Sequence, residues 1–162
     1  MEDKTTLPAV LVNSYMSSLI SVSASVGIEA SFVKPEMTSG VKAQGSRTAA
    51  FIGIVGGAAQ CTVALMADMP SFEAFVSAFT GGMIKADSED PMSMSVLGEM
   101  TNMISGQALI KANMPGLDIT PPQLFSGKNL KLSPSVKSNV KSFTLPFDIG
   151  VGRLYLVLSV YN

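Results

Sequence analysis

The chain is best understood from Ser95-Val-Leu-Gly-Glu-Met-Thr-Asn-Met-Ile-Ser-Gly106, an otherwise apolar stretch that places a carboxamide three residues after a carboxylate. Side chains at positions i, i+4 and i+7 of an α-helix return to one side, so four residues here form a stripe of polar and small side chains. The stripe consists of Ser95, Glu99, Asn102 and Gly106. A helix that presents a Glu and an Asn without a bulky neighbour has the shape needed to enter a pocket of another molecule.

The composition limits the chain to a few classes of protein. Its 162 residues suffice for one domain with a sizeable core, and we predict a single domain over residues 1–162. The net charge is −1 without a run of Lys or Arg, so no electrostatic footprint for nucleic acid or an anionic membrane is present. Residues 1–6 are charged and lack the pattern of a signal peptide, which leads us to expect a cytoplasmic protein.

The scarcity of ligand and nucleophile side chains excludes several chemistries. The sequence contains no His and a single Cys, Cys61, which lies within an apolar segment. A zinc site, histidine base catalysis, a Ser-His-Asp triad and a disulfide are therefore excluded, and Cys61 is expected to be a small core residue. We predict no metal site and no cofactor belonging to the chain itself.

The segment Thr48–Ala67 carries no charge and is long enough to span a bilayer as a helix. Three features favour two strands instead. Gly56-Gly57 lies in the middle, the runs on either side have the length of strands, and Gln60 would be unpaired in lipid. We therefore predict a β-hairpin over Ala49–Met66 that turns at the two glycines.

Helical periodicity and capping residues predict three helices. These helices extend from Thr6, as the N-cap, to Gly27; from Pro70 to Gly81-Gly82; and from Asp90, as the N-cap, to about Ala112. Asn113 and Pro115-Gly116 are expected to stop the third helix. Four methionines of this helix are expected to pack in the core. They are Met92, Met94, Met100 and Met103.

The segments between the helices indicate β-structure. A strand is predicted near Ile28–Lys34, whereas the loop that follows, Pro35–Ser46, carries no motif that assigns it a role. The chain is predicted to be β again beyond Pro121-Pro122. Its last segment, Arg153–Tyr161, is apolar on both faces and is therefore predicted to be a central strand.

The first and third helices share a weak internal echo, which suggests a pseudo-repeat. The sequences of residues 12–21 and 96–105 have Val, Met, Ile and Ser at the same offset. Four matches in ten positions can arise by chance in a chain rich in Ser and Met. If the echo reflects a duplication, Tyr15 and Ser18 occupy the places of Glu99 and Asn102, and the first helix keeps the packing residues without the polar pair.

The stripe and a downstream segment resemble the signature of the CheC/CheX/FliY family of chemotaxis phosphatases. The shared pattern is Ser95-x3-Glu99-x2-Asn102, with a Gly before the Glu and Ser-Gly after the Asn, in a form close to CheX-type members. Ile119-Thr-Pro-Pro and the following Ser126-Gly-Lys-Asn resemble the family's Pro-containing strand entry and turn. The layout of nearly the whole chain agrees with this family, although only these two segments are specific.

The resemblance implies an α/β (α+β) domain in which two long helices pack on an antiparallel β-sheet. It also implies a phosphatase that hydrolyses the aspartyl-phosphate of a CheY-like response regulator in chemotaxis or another two-component pathway. Glu99 would pair with the lysine of the regulator's active site, and Asn102 would hold the attacking water in line. Tyr15 and Ser18, in place of a second pair, indicate the CheX-like single-site type, which implies a homodimer that exchanges sheet elements.

The chemistry suits the residues that are present. An acyl phosphate is already activated, and the regulator supplies the Mg²⁺ and the lysine that neutralise its charge. A positioned water is what such a site still needs, and a carboxamide can hold one because it donates and accepts hydrogen bonds together. Small groups at Gly98, Ser105 and Gly106 are predicted to let the partner's backbone approach, and Ser95 to tune that contact.

A second hypothesis is a non-catalytic binding module of the same fold, similar to the middle domain of flagellar switch proteins. Such a module would bind the response regulator or other components of the switch. Because a switch domain does not need Glu99 and Asn102, their presence favours the enzyme. The two hypotheses also differ in a structural expectation: catalysis requires both side chains to be accessible, and burial of either favours the binding module.

Overall fold

The computed structural model describes residues 7–56, 60–114, 116–128, 130–132 and 140–161. Within them, three helices and eight strands follow one another along the chain. The helices are α1, Leu7–Ser25; α2, Met69–Thr80; and α3, Pro91–Lys111. The strands are β1, Ser31–Phe32; β2, Thr38–Ser39; β3, Thr48–Val55; β4, Gln60–Ala67; β5, Asp118–Ile119; β6, Gln123–Ser126; β7, Val140–Asp148; and β8, Arg153–Tyr161.

The strands form one antiparallel sheet in the order β1-β7-β8-β4-β3-β5, in which β2 also pairs with β7 and β6 also pairs with β3. Strand β8 lies between β7 and β4, which confirms the prediction of a central strand at Arg153–Tyr161. Strand β1 is much shorter than the predicted Ile28–Lys34. The chain leaves the sheet there because a 3₁₀ turn begins at Lys34, where Pro35 cannot donate a ladder hydrogen bond.

The charge-free segment forms the hairpin of β3 and β4, as predicted. Its register pairs Thr48 with Ala67 and Ile54 with Cys61. Gly56 opens the turn with a φ of 112°, a conformation that favours glycine, whereas Gly57 lies outside the described residues. No helix in the described part of the chain is apolar and long enough to cross a membrane.

Side-chain caps set the boundaries of the helices that flank the hairpin. Helix α2 begins one residue before the predicted Pro70, because Asp68 is its N-cap and the Asp68 carboxylate accepts a hydrogen bond from the Ser71 N–H at 2.9 Å. Asp90 caps α3 as predicted and accepts from the Met92 N–H at 3.1 Å. Helix α3 ends before Asn113, whose φ is 52°. The predicted cap Thr6 and terminator Pro115 lie outside the described residues.

The helices cover one face of the sheet and enclose the main core there. Alternate residues of β3 and β8 point to this face and meet fully buried side chains from each helix. Those helical side chains include Tyr15, Phe72 and Met100. Cys61 is also buried here as a free thiol, as predicted, and burial raises the pKa of its thiol. The mixed α+β architecture therefore agrees with the predicted fold class, with α2 as a third, shorter helix.

The opposite face of the sheet carries a second, smaller apolar cluster. It is formed by Ala43, Ala49, Ala64, Met66 and Val157. The loop before β3 and the segment after β6 supply partly buried side chains that pack against this cluster, including Val41 and Leu130. This face is therefore covered by loops rather than by helices.

Candidate active site on the third helix

Helix α3 presents the predicted stripe on its exposed side. Ser95 and Glu99 are exposed, whereas Asn102 and Gly106 are half-buried. The residues between them, such as Leu97, Met100 and Ile104, are buried in the core. Neither Glu99 nor Asn102 is a fully buried residue. Burial of either was expected to favour the binding module, so this result favours the enzyme.

The Asn102 carboxamide is not held by the rest of the described chain. Its Oδ1 atom is enclosed and has no hydrogen-bond partner among the described residues. An enclosed polar atom without a partner costs about 1–3 kcal/mol. This cost is removed when the side chain rotates so that the carboxamide oxygen meets water or a donor on another molecule, and no hydrogen bond to a described residue opposes that rotation of the oxygen.

Exposed apolar side chains extend the stripe in both directions along α3. Met92 is 63% exposed, Met103 is 36% exposed and Ile110 is 81% exposed. The prediction that all four methionines of this helix pack in the core is therefore wrong for Met92 and Met103, although Met94 and Met100 are buried. Helical spacing could have separated them, because Met92 and Met103 lie seven residues before and four residues after Glu99 and therefore on its side of the helix.

A β-bulge in the edge strand lies beside α3. Strands β5 and β6 both pair with β3, where Ile119 lies opposite Ile54 and Gln123 lies opposite Phe51. Three residues, Thr120–Pro122, therefore stand against two residues of β3. A bulge at a sheet edge tolerates prolines, because their missing N–H groups are not needed for the ladder.

Thr120 fixes this bulge to β3. Its backbone N–H donates to the Gly53 carbonyl at 2.9 Å, and the Gly53 N–H donates to the Thr120 hydroxyl oxygen at 2.7 Å. A side chain at position 53 would be crowded, because the Thr120 methyl carbon lies 3.3 Å from where its Cβ would be. The Pro-Pro segment that resembled the family is thus a rigid support next to the candidate site.

Gly98 connects the bulge to the helix. A Cβ at this position would lie 3.1 Å from Pro122 Cγ and 3.3 Å from Leu124 Cδ2. Gly98 and Ser105 are both buried, so the prediction that they let a partner's backbone approach is wrong. The physical reason at Gly98 is that the chain's own Pro122 occupies the space. Gly106 differs, because no atom lies within 4 Å of the position that its Cβ would take.

The contact at Gly98 also positions Asn102. Residues four apart on an α-helix lie about 40° from each other around the axis. Asn102 therefore follows Gly98 one turn later on the side of α3 that meets Pro122. This supporting role of Thr120–Pro122 was missed from the sequence, although the Pro-Pro pair in a β-region signalled a bulge.

Helix α1 packs along α3 but has no second exposed pair. Tyr15 and Ser18 are fully buried, so they do not stand where Glu99 and Asn102 stand, and the alignment suggested by the echo is wrong. The buried positions of the two helices coincide when α1 is shifted by two further residues. Leu11, Ser14, Tyr15, Ser18, Leu19, Val22 and Ser23 then match Leu97, Met100, Thr101, Ile104, Ser105, Ala108 and Leu109. In this register, Asn13 and Met16 take the places of the pair.

The Tyr15 hydroxyl is buried between α1 and α3. Burial raises its pKa well above the ordinary value for tyrosine, and the neighbouring Ser105 hydroxyl partly lowers it. Neither hydroxyl oxygen makes a hydrogen bond of standard geometry with a described residue. Tyr15 therefore stays protonated at neutral pH and serves packing between the two helices.

The exposed side of α3 limits what this site can do chemically. No group of three His, Cys, Asp or Glu side chains comes together as a metal site in the part of the chain that is described. The stripe offers one carboxylate, which attracts a cation, and one carboxamide, which both donates and accepts hydrogen bonds. These groups can bind and orient molecules, and the Ser95 hydroxyl of the stripe donates to the Met92 carbonyl rather than to a base that would activate it.

Fold and site together define a class: α+β proteins that expose a Glu-x-x-Asn pair on a long helix packed over an antiparallel sheet. The CheC-like superfamily protein from Shewanella sp. PV-4 has this fold, with a TM-score of 0.80 and 22% identity over 94% of this chain and 98% of that chain. A chain of the CheX–CheY–BeF₃–Mg²⁺ complex from Borrelia burgdorferi matches with a TM-score of 0.69 and 17% identity, over 94% of this chain and 98% of that chain.

Sequence comparison identifies the family within this class. The model of the family described as "Chemotaxis phosphatase CheX" matches residues 48–148, which include α3 and the bulge. The CheY-P phosphatase CheX of Thermotoga maritima is 32% identical over 129 residues, which are 78% of this chain and 81% of that protein. The chain belongs to the CheX family of chemotaxis phosphatases, and the resemblance found in its sequence is confirmed.

Proposed function

We propose that this chain hydrolyses the aspartyl-phosphate of a CheY-like response regulator, the activity for which the Thermotoga maritima relative is named. The observation that carries the proposal is the placement of Glu99 and Asn102 one turn apart on the accessible side of α3. The side chains of residues three apart on a helix are neighbours, with Cβ atoms about 5–6 Å apart. Both can therefore enter one pocket of a partner protein.

Asn102 orients the attacking water. Its carboxamide has an oxygen that accepts a hydrogen bond from the water and an NH₂ group that donates to the phosphoryl oxygens. The water oxygen bonds to phosphorus while the bond from phosphorus to the aspartyl oxygen breaks. The aspartate leaves as a carboxylate, and the protons of the water remain with inorganic phosphate. Orientation of water by a carboxamide is also the role of the glutamine in GTP hydrolysis.

Glu99 anchors the helix by pairing with the lysine of the regulator's active site. Its carboxylate is exposed, so it forms this ion pair without first breaking a bond within its own chain. The Mg²⁺ that neutralises the phosphoryl group belongs to the regulator, and this chain contributes no ligand to it. In the Borrelia burgdorferi complex, Mg²⁺ and BeF₃⁻, which stands in for the phosphoryl group, accompany CheX and CheY.

The surface around the pair supports docking of a protein. Met92, Met103 and Ile110 line the same side of α3 as the pair, and apolar side chains of this kind provide contact area at an interface. Gly106 leaves open space in which the regulator's backbone can approach α3. Ser95, whose hydroxyl donates to the Met92 carbonyl at 2.6 Å, borders this contact. The homodimer and the cytoplasmic location remain predictions.

The test is the loss of label from a ³²P-phosphorylated CheY-like regulator in the presence of wild type, Glu99→Ala or Asn102→Ala. Two exposed residues on the other helices provide matched controls, Glu73→Ala on α2 and Asn13→Ala on α1. We expect wild type and both controls to accelerate the loss equally. Removal of a water-orienting group costs on the order of 10²-fold or more, so Asn102→Ala should be nearly inactive.

The same experiment separates the phosphatase from the binding module. Affinity for the BeF₃⁻-loaded regulator is measured for every variant in parallel. Tight binding without any acceleration by wild type would make the chain a binding module and overturn the proposed hydrolysis. Acceleration by wild type that persists in Asn102→Ala would leave the enzyme but remove the role assigned to Asn102.

A further inference from the structure

A cavity of about 620 Å³ lies on the face of the sheet opposite the helices. Its walls are the loop of residues 41–46 and the segment of residues 128 and 130–132, and Met66 of β4 lies at its floor. The volume falls within the range of about 300–1,000 Å³ that is typical of small-molecule sites. The cavity is separated from Glu99 and Asn102 by the sheet, so the proposed hydrolysis does not explain it.

The two stretches of sequence that supply the lining of the cavity carry basic residues but no acidic ones. Residues 37–67 and 119–147, within which all of the lining residues fall in the sequence, contain no Asp or Glu. The remaining sequence holds all 12 acidic residues of the chain. The six basic residues of the two segments are Lys42, Arg47, Lys128, Lys131, Lys137 and Lys141. Lys141 lies on the other side of the sheet from the cavity, because it pairs with Val160 of the core beneath the helices.

Three of these lysines line the cavity itself. Lys42 comes from one wall, and Lys128 and Lys131 come from the other. Among the described residues, the ion pairs that form are those of Arg153 with Glu36 and Asp148, so these three lysines have no acidic partner there. All three are exposed residues that border a concave surface, where low-dielectric walls strengthen the attraction for an anion.

Ser46 adds a buried polar group to the same cavity. Its side chain is 1% exposed, and its hydroxyl oxygen has no hydrogen-bond partner among the described residues. A buried hydroxyl without a partner is unfavourable unless something binds to it. Ser46 lines the cavity, and rotation about its χ1 angle would turn this unpartnered hydroxyl toward an anionic oxygen there.

Apart from Gln44 and Gly45, the remaining lining is apolar. Ala43, Met66 and Leu130 belong to the small cluster on this face and form a surface that favours a hydrocarbon or aromatic group. We propose that this basic cavity binds a small organic anion, whose phosphate or carboxylate group meets the lysines and Ser46 while its apolar body packs on Met66. The proposal does not depend on the phosphatase activity.

The anionic dye 8-anilinonaphthalene-1-sulfonate, which combines a sulfonate with an aromatic body, is a suitable probe. Its neutral relative N-phenyl-1-naphthylamine lacks the charge and serves as the comparison. Fluorescence titration at low salt should give a lower Kd for the anionic dye. An exposed ion pair contributes up to about 1 kcal/mol, a factor of about five, so Lys42→Ala should weaken anionic binding about two- to fivefold. The triple variant with Lys128→Ala and Lys131→Ala should weaken it more than about tenfold.

Control variants separate this site from general binding to charged or apolar surface. Lys85→Ala removes an exposed lysine that does not line the cavity and should leave the Kd of the anionic dye unchanged. Ser46→Ala should weaken the anionic dye about two- to fivefold while the melting temperature stays the same or rises, because the hydroxyl has no partner to lose. The neutral dye should bind all variants alike.

The position of the dye is read from backbone amide shifts in NMR spectra. Shifts at residues 41–46 and 130–132 are expected. Shifts confined to the exposed side of α3, or equal Kd values for the two dyes, would overturn the proposal. Dye binding that disappears as the chain associates at high concentration would instead assign the cavity to the contact with a second copy, and the small-anion proposal would be wrong.

Discussion

Helices α1 and α3 bury matching sets of positions and expose different ones. The buried sets coincide over about three turns, from Leu11 to Ser23 in α1 and from Leu97 to Leu109 in α3, except that Gly98 is buried and its counterpart Val12 is half-buried. On the outer side, α3 carries Glu99 and Asn102 where α1 carries Asn13 and Met16. Packing against the sheet therefore fixes only one side of each helix. We assign the function to the outer side of α3, because it carries Glu99 and Asn102 and the outer side of α1 does not.

Substitution of Tyr15 by Glu is expected to give the largest effect, because it tests which positions of α1 are buried. Tyr15→Glu would place an unpaired carboxylate between the helices and should lower the free energy of unfolding by about 3–5 kcal/mol. Asn13→Glu, at the exposed position that matches Glu99, should change it by less than about 0.5 kcal/mol. Urea denaturation measures both. Similar values for the two variants would show that the burial register is wrong.

Reversal of the charge at Glu99 is expected to have the next largest effect. Glu99→Lys would place a lysine against the lysine of the regulator and should weaken binding of the BeF₃⁻-loaded regulator about 10- to 100-fold. The loss should shrink as salt is added, because a charged contact is screened. Isothermal titration at two salt concentrations checks both points, with Glu73→Lys on α2 as the control. A loss that salt does not change would exclude the proposed ion pair.

Gly98 and Gly106 are glycines of the same helix with opposite surroundings. Gly98→Val would push into Pro122 and Leu124 and should lower stability by about 1–3 kcal/mol through overpacking. Thermal unfolding measures the change. Because the bulge also positions α3, the catalytic rate should fall while the variant is still folded. Unchanged stability would mean that Pro122 does not restrict the helix at this point.

Gly106→Ala is expected to have the smallest effect on stability, with the opposite sign. Space for a Cβ is open, and alanine is favoured over glycine in a helix by about 0.5–1 kcal/mol. The variant should therefore melt at a higher temperature than wild type. If the regulator's backbone approaches α3 here, its affinity should fall even though the enzyme is more stable. Unchanged affinity would remove Gly106 from the proposed contact.

Local patterns predicted most of the fold. The hairpin of β3 and β4, the caps of α3 and the central position of Arg153–Tyr161 all followed from charge, Gly and Asp positions, and two-sided hydrophobicity. Strands β1 and β2, with two residues each, are too short to show a period. Their positions depend on pairing with β7, which lies about a hundred residues away along the chain.

The site was only partly predictable for a related reason. The exposed stripe is a local property of one helix, so spacing alone placed Glu99 and Asn102 correctly on its outer side. The packing of Gly98 against Pro122 joins distant segments, and no local pattern reports it. The echo between α1 and α3 was misaligned, because matching residue types does not reveal which side of each helix is buried. The loop of Pro35–Ser46 had no motif, yet its end forms a wall of the basic cavity.

The most direct measurement is the single-turnover rate at which saturating Asn102→Ala dephosphorylates the ³²P-labelled regulator, beside wild type and Asn13→Ala. We predict that Asn102→Ala is slower by about 10²-fold or more. Its affinity for the BeF₃⁻-loaded regulator should change by less than about threefold, and Asn13→Ala should match wild type in both respects. A rate at saturation equal to that of wild type would contradict the assignment of Asn102 as the residue that orients the attacking water.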